Sequence, residues 1–355
     1  MARSLTRCGV CSASIVNTPS DQPLLSVEHL TTVFRLRDGR DAAAVDDVSF
    51  TVSQRETLGL VGESGCGKSV TALSIVRLVM PPGRIARGRV HFEGRDLIGI
   101  DEVSMRRVRG RRIGFVFQEP MAALNPVLTI GYQIAETLAV HDLARGAAAT
   151  RRAVELLEAV RVPDPGRRVH EYPHQLSGGL RQRAMIALAL AAEPALLIAD
   201  EPTTALDVTV QAEILDLLRD LRSRFDLALL LITHDLGVVA EMADRVAVMY
   251  GGRIVEQAPV ARLFASPAHP YTRGLLAGVP GGARGSRLAA IPGAVPPLGR
   301  LPGGCAFAPR CAAQFEPCAA AVPNLTEIAP GHWVRCYLYP VADRPAAPAP
   351  LRGPS

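Results

Sequence analysis

Between an apolar run, Leu58–Val61, and a helical stretch, Val70–Val79, the chain carries Gly62-Glu63-Ser64-Gly65-Cys66-Gly67-Lys68-Ser69. This fits G-x-x-x-x-G-K-[S/T] in a strand–loop–helix setting, and no other feature constrains the fold as tightly. Its glycines let backbone N–H groups converge on phosphate oxygens, and the N-terminus of the following helix adds positive potential. Lys68 can reach β- and γ-phosphates, and the Ser69 hydroxyl can ligate Mg²⁺. Cys66 reads as a small-residue filler of the loop. Such a loop needs a buried strand before it and a helix after it, which points to an α/β core with a parallel sheet.

The rest of the chain supplies that alternation. Strand texture starts at Leu24 and turns at Asp38-Gly39, and Ala44–Val52 with Thr57–Val61 read as a second strand pair. A strand ends at Phe117, and residues 133–160 show helical spacing of Ala, Leu and Glu. A helix over Leu180–Ala192 precedes a buried strand, Ala195–Ala199, and a helix over Val210–Arg224 precedes another, Ala228–Ile232. The strand Leu196-Leu197-Ile198-Ala199 runs into two acids, Asp200 and Glu201. Ligands gather at the carboxyl ends of strands in open α/β sheets. Asp200 is therefore expected to face the phosphate loop and help hold Mg²⁺, with Glu201 placed as general base toward an attacking water.

Composition narrows the class. A chain of 355 residues suggests two domains, and 48% hydrophobic with 5% aromatic residues implies a large aliphatic core. A net charge of +5 is small for this length, so nucleic acid is not expected as a partner. The longest strictly apolar run, Ala184–Ala192, has nine residues, about half of what a membrane-spanning helix needs. Arg3 and Arg7 are not followed by an apolar stretch of signal-peptide length. The expectation is a chain that neither spans a membrane nor is secreted, and its odd count of seven cysteines fits a reducing compartment.

A second anion-binding feature, Ser177-Gly178-Gly179, opens a helix 23 residues before Asp200. If it lies on a different lobe from the phosphate loop, the two cannot serve one nucleotide, and the inference is a head-to-tail dimer. Together these motifs resemble the nucleotide-binding subunit of an ABC transporter. The resemblance implies an ABC-type P-loop NTPase domain with a RecA-like core, an antiparallel β subdomain and a helical subdomain. It also implies roles: ATP bound by residues 62–69 and Val70, and Gln118 as the glutamine that contacts Mg²⁺ or water and senses the membrane subunit. Ala205-Leu206-Asp207 would cross the dimer interface, His234 would contact the γ-phosphate, and Phe34 is the aromatic candidate to stack on adenine. Mg²⁺ would be held by Ser69, Gln118 and Asp200, and Ser177, Gly178 and Gly179 would act on ATP held by the partner. Leu180 stands where many such signatures have Gln.

The segments Gln118–Pro126, Thr203–Gln211 and His269-Pro270-Tyr271-Thr272-Arg273 are similar to bacterial dipeptide/oligopeptide importer ATPases. The resemblance spans residues 24–338. It implies ATP hydrolysis powering peptide import from the cytoplasmic face of the inner membrane. The implied partners are two membrane permeases, a solute-binding protein outside, and a second ATP-binding subunit, paralogous in preference to identical. Nickel or another small solute is the alternative cargo. A soluble DNA-acting ATPase with a zinc module is the remaining alternative, disfavoured because Lys68 and Ser177 are only 109 residues apart without heptads.

The expected layout is a flexible tail over 1–22, an ATPase domain over 23–280, a cysteine-bearing extension over 281–339 and a disordered tail over 340–355. Cys305, Cys311, Cys318 and Cys336 have spacing C-x5-C-x6-C-x17-C, without a C-x2–4-C zinc knuckle. Thiolates in a reducing compartment favour a soft-ligand site. The importer resemblance implies a [4Fe–4S] cluster, with zinc as the alternative and His332 as a substitute zinc ligand. Cys8 and Cys11 read as incidental. The charge run Arg106, Arg107, Arg109, Arg111 and Arg112 reads as a solvated surface, with anionic lipid headgroups as the alternative contact.

Overall fold

The computed structural model describes residues 22–278 and 291–339. The N-terminal tail, including Cys8 and Cys11, lies outside the described residues except for residue 22. The C-terminal tail lies outside them entirely, and the boundary expected near 280 falls in the undescribed segment 279–290.

Strands β1 (Leu25–Arg35) and β2 (Asp41–Val52) pair antiparallel around the turn at Asp38-Gly39. The expected pairing of β2 with β3 (Thr57–Val61) does not occur. All five residues of β3 are buried, which suits a strand covered on both faces, and β3 sits inside a second sheet. After β3 come α1 (Lys68–Ile75), β4 (Gly83–Phe92), β5 (Arg95–Asp96) and α2 (Glu102–Val108). β4 pairs with the free edge of β1, completing a four-stranded antiparallel sheet in the order β2-β1-β4-β5.

Between β6 (Ile113–Val116) and β7 (Leu196–Asp200) lies a helical region: α3 (Pro120–Ala123), α4 (Ile130–Val140), α5 (Gly146–Ala159), α6 (Pro165–Arg168) and α7 (Gly178–Leu190). The stretch expected to be helical over 133–160 forms two helices separated at 141–145, where Asp142 takes a left-handed φ of 56°. The break lets Ile134 and Leu138 of α4 meet Ala153, Leu156 and Leu157 of α5 in one apolar cluster. One straight helix would carry those residues about 30 Å apart at 1.5 Å per residue.

The chain continues through α8 (Val208–Phe225), β8 (Ala228–Thr233), α9 (Leu236–Met242), β9 (Arg245–Tyr250), β10 (Arg253–Pro259), α10 (Val260–Ala265) and α11 (Pro270–Ala277). The extension adds α12 (Glu316–Ala320), β11 (Thr326–Ala329) and β12 (His332–Val334). The large sheet runs β11-β12-β10-β9-β3-β8-β7-β6, parallel from β9 to β6 and antiparallel beyond. Period-2 alternation divides its central strands: Leu197 and Ala199 face the helical cluster, while Leu196 and Ile198 face α1 and the antiparallel sheet.

Strand β12 docks on β10 through Glu256↔Val334 and Gln257↔Trp333, so the extension continues the sheet of the core. The wholly buried carboxylate of Glu256 accepts from the N–H of Ala268 (2.7 Å), the N–H of His269 (2.8 Å) and His332 Nε2 (2.8 Å). The arginine run is not uniformly solvated as expected. Arg106 and Arg107 are exposed, but Arg109 donates to the carbonyls of Val76 (2.7 Å) and Arg77 (3.1 Å), and Arg111 to that of Ala192 (2.6 Å). Arg112 pairs with Glu93. These three guanidiniums satisfy chain carbonyls and a carboxylate, so most of the run is a structural tie.

Candidate functional site

The phosphate loop leaves the carboxyl end of β3 and enters α1. Gly67, the N-cap of α1, has φ 105° and lies where a Cβ would come 2.4 Å from the Ala44 carbonyl oxygen. A Cβ at Gly62 would lie 2.3 Å from the Met249 carbonyl oxygen, so both positions need glycine for close backbone approach. No side chain caps α1, which leaves its first N–H groups directed at the loop. Lys68, 4% exposed, turns back to donate to the carbonyls of Gly62 (2.8 Å) and Glu63 (3.2 Å). Cys66 is buried beside it, and burial pushes its thiol pKa up, which suits the filler reading. Ser64 and Gly65 are exposed, and Val70 packs at the edge of the cluster around α1.

The acids sit at the carboxyl end of β7, two strands from β3 with β8 between. Ser69 Oγ donates to Asp200 Oδ1 at 3.0 Å. Burial raises the Asp200 carboxyl above the ordinary range; the Ser69 hydrogen bond opposes this and neighbouring Glu201 adds to it. A hydroxyl and a carboxylate at this separation are hard oxygen donors of the kind Mg²⁺ shares with phosphates. Glu201, in a left-handed conformation at φ 46°, is the convergence point. Its Oε2 accepts from Thr204 Oγ1 (2.8 Å) and Gln118 Nε2 (3.2 Å) and lies 3.5 Å from His234 Nδ1. Its Oε1 is 4.0 Å from Lys68 Nζ. Four strand ends, those of β3, β6, β7 and β8, thus bring Lys68, Ser69, Gln118, Asp200, Glu201 and His234 together.

The other nucleotide-related residues lie elsewhere. Ser177 caps α7, accepting from the Leu180 N–H at 3.4 Å, and Ser177 and Gly178 are exposed. Asp207 caps α8, accepting from the Val210 N–H at 3.0 Å, and is exposed. The helix behind Ser177 belongs to the helical cluster, whereas α1 belongs to the cluster under the antiparallel sheet. Phe34 lies on β1 opposite Ala42 and Gly83, its ring packed over Gly83.

The four cysteines of the extension are free and line one narrow cavity, with His269 and Phe307 among its walls. Burial raises the Cys305 and Cys311 thiols and pushes Cys336 up to about 12, and each is raised further by its cysteine neighbours. Among the described residues, no three Cys, His, Asp or Glu side chains are gathered closely enough to hold one metal ion. His269 Nδ1 accepts from the Tyr271 N–H at 3.0 Å, so Nε2 carries the proton, and this buried donor has no hydrogen-bond partner among the described residues. Burial drives the His269 pKa down to about 3, which keeps the ring neutral. His332, expected as a substitute ligand, is committed instead to Glu256, as a buried carboxylate on β10 requires a donor there.

Three contributors are not evident from the sequence. Thr204 orients Glu201, and its only signal is its place three residues after that acid, the spacing of a local side-chain bond. Tyr271 and Arg310 both engage Glu63 of the phosphate loop. No helix among the described residues is long and apolar enough to cross a membrane.

Comparison with known proteins agrees with this geometry. The family model for ABC transporters matches residues 45–204, and that for the C-terminal region of oligopeptide/dipeptide transporters matches residues 255–318. A relative from Brucella abortus, named as a peptide import ATP-binding protein, is 55% identical over 330 residues, covering 89% of this chain and 97% of its own. One from Sinorhizobium fredii, named as a peptide ABC transporter ATP-binding protein, is 53% identical over 328 residues, covering 90% and 96%. Among solved structures, the ATP-binding cassette MJ0796, a dimer in a post-hydrolysis state bound to ADP and Pi, is similar with a TM-score of 0.59 and 28% identity, over 66% of this chain and 98% of that one. Clostridium perfringens cbiO1, part of the transporter complex cbiONQ, gives 0.58 and 25%, over 69% and 92%. The chain belongs to the ABC transporter family of ATP-binding proteins, in its oligopeptide/dipeptide branch.

Proposed function

We propose that this chain hydrolyses ATP to power import of di- and oligopeptides, as an ATP-binding subunit of a transporter at the cytoplasmic face of the inner membrane. The observation that carries the reading is the gathering of Lys68, Ser69, Gln118, Asp200, Glu201 and His234 at adjoining strand ends. The loop amides and Lys68 would cradle the β- and γ-phosphates, Lys68 exchanging its carbonyl acceptors for phosphate oxygens. Ser69, Asp200 and Gln118 would hold Mg²⁺, which when bound screens phosphate charge. Glu201, oriented by Thr204 and Gln118, accepts the proton of the attacking water, and His234 reaches toward the γ-phosphate.

The exposed Ser177-Gly178-Gly179 turn and Asp207 would meet a second ATP-binding subunit, paralogous in preference to identical. Two permeases would dock near Gln118, and a solute-binding protein would deliver peptide on the far side. The match of both family models and the names of the relatives support peptide as cargo.

The cysteine cavity is read as holding a [4Fe–4S] cluster. Zinc is the alternative. The reading rests on four free cysteines that line one cavity, where a cluster would take one thiolate on each iron. Its sulfurs would also accept from the orphaned His269 Nε2–H.

Affinity purification from native membranes, followed by peptide-stimulated ATP hydrolysis in the recovered complex, tests the main reading. Recovery without permeases, or hydrolysis indifferent to peptide and its binding protein, would overturn it. Anaerobic protein should show broad visible absorbance with iron and acid-labile sulfide; zinc alone would end the cluster reading.

A further inference from the structure

Glu63, the second residue of the phosphate loop, is held from three directions. Arg310 Nη1 donates to both carboxylate oxygens, at 3.1 and 3.0 Å. The Tyr271 hydroxyl accepts from the Glu63 N–H at 2.9 Å, and Lys68 donates to the Glu63 carbonyl at 3.2 Å. Only the last of these belongs to the loop itself.

We propose that Arg310 and Tyr271 are positioning residues for the phosphate loop, and that through Arg310 the C-terminal extension sets the affinity for nucleotide. Two observations support a role beyond tying the extension down. First, both residues converge on the one loop residue that carries a negative charge, although they come from separate segments, α11 and the turn before Cys311. A carboxylate on a loop that receives a polyphosphate repels its ligand, and a guanidinium pressed against it cancels that repulsion. Second, the guanidinium is aimed and not free to wander. The Arg310 side chain is 6% exposed, and it also donates to the Tyr250 hydroxyl (3.3 Å) and to the carbonyls of Pro292 (2.8 Å) and Ile291 (3.4 Å). The ring of Phe307, three residues before it, meets Tyr250 and Tyr271 edge-on or tilted at 5.2 and 5.4 Å. The stretch from Cys305 to Cys311 therefore carries both the aromatic wedge and the cation that fix the loop.

The test is equilibrium binding of a fluorescent ATP analogue with Mg²⁺ to the full-length chain. Arg310→Gln, which removes the charge and keeps amide donors, is expected to raise Kd by about tenfold, equivalent to about 1.4 kcal/mol. Arg310→Lys should lie between it and wild type. The double variant Arg310→Gln/Glu63→Gln should recover most of the loss, since the uncompensated carboxylate is gone. A merely structural tie predicts no such recovery. An unchanged Kd in Arg310→Gln, or a double variant as weak as the single, would overturn the proposal. Should Arg310→Gln fail to fold, Tyr271→Phe carries the test: it removes one hydroxyl and no charge, a several-fold higher Kd supports the brace, and an unchanged Kd ends it. The proposal rests on reading residues 62–69 as the nucleotide loop. Wild-type chain that does not bind the analogue would sink that reading, whereas normal wild-type binding with indifferent variants sinks only this one.

Discussion

The phosphate loop and the cysteine cavity are joined through Arg310, yet they are held together in opposite ways. In the loop region the polar groups satisfy one another: Lys68 rests on carbonyls, Ser69 on Asp200, and Glu201 on Thr204 and Gln118. In the cavity, burial raises three thiol pKa values, and the His269 Nε2–H has no acceptor among the described residues. A site whose ligand departs at every turnover has to be stable between ligands, so its charges pair internally. If the cavity holds the proposed cluster, its donors can be left to that guest, at the cost of depending on it.

The contrast is tested most severely at the catalytic base. Glu201→Gln should lower ATP hydrolysis by a factor of about 10²–10⁴ while analogue binding persists, because the amide keeps the shape but cannot take the proton. Phosphate release near the wild-type rate would remove Glu201 from that role. Next in size, and on the cluster reading proposed above, Cys336→Ser should abolish iron content and visible absorbance and lower the thermal midpoint, whereas Glu201→Gln should leave iron untouched. Equal iron in both variants would erase the difference between the two regions.

Acid should weaken both regions, but for different reasons. Asp200 has a raised pKa, so it takes up a proton at a higher pH than an ordinary carboxylate does. Proton and Mg²⁺ compete for it, so Mg²⁺-dependent nucleotide affinity should fall on acidification, read as Kd against pH. In the cavity, thiols pushed as high as about 12 would have to release protons to ligate the proposed cluster, so on that reading iron loading should increase with pH. A pH-independent Mg²⁺ requirement would contradict the first. The smallest expected effect is at Thr204. Thr204→Val removes one hydrogen bond to the Glu201 carboxylate, worth about 1.5–3 kcal/mol, and should lower kcat by a factor of about ten to a hundred with KM unchanged.

How much of the molecule is legible in its sequence depends on how local the chemistry is. The phosphate loop and the acid pair are contiguous because a strand end and a helix start must present them together, so their residues stand in order along the chain. The β2–β3 pairing fails, and the break at 141–145 in the helical stretch 133–160 goes unread, because local periodicity cannot tell which sheet or which face a segment joins. Arg310 and Tyr271 are illegible for a simpler reason: their bonds to Glu63 span 247 and 208 residues. His332 reads as a ligand beside the cysteines, but its partner is a carboxylate 76 residues earlier.

That last separation has a consequence for biosynthesis. Glu256 is a buried carboxylate on β10, and one of its three donors, His332, is made 76 residues later. At roughly 5–20 residues per second, the interval is about 4–15 s. Throughout it, a nascent chain has an incompletely partnered charge under its last core strand. The buried carboxylate of the core strand therefore gains its last donor only once residue 332 has been made.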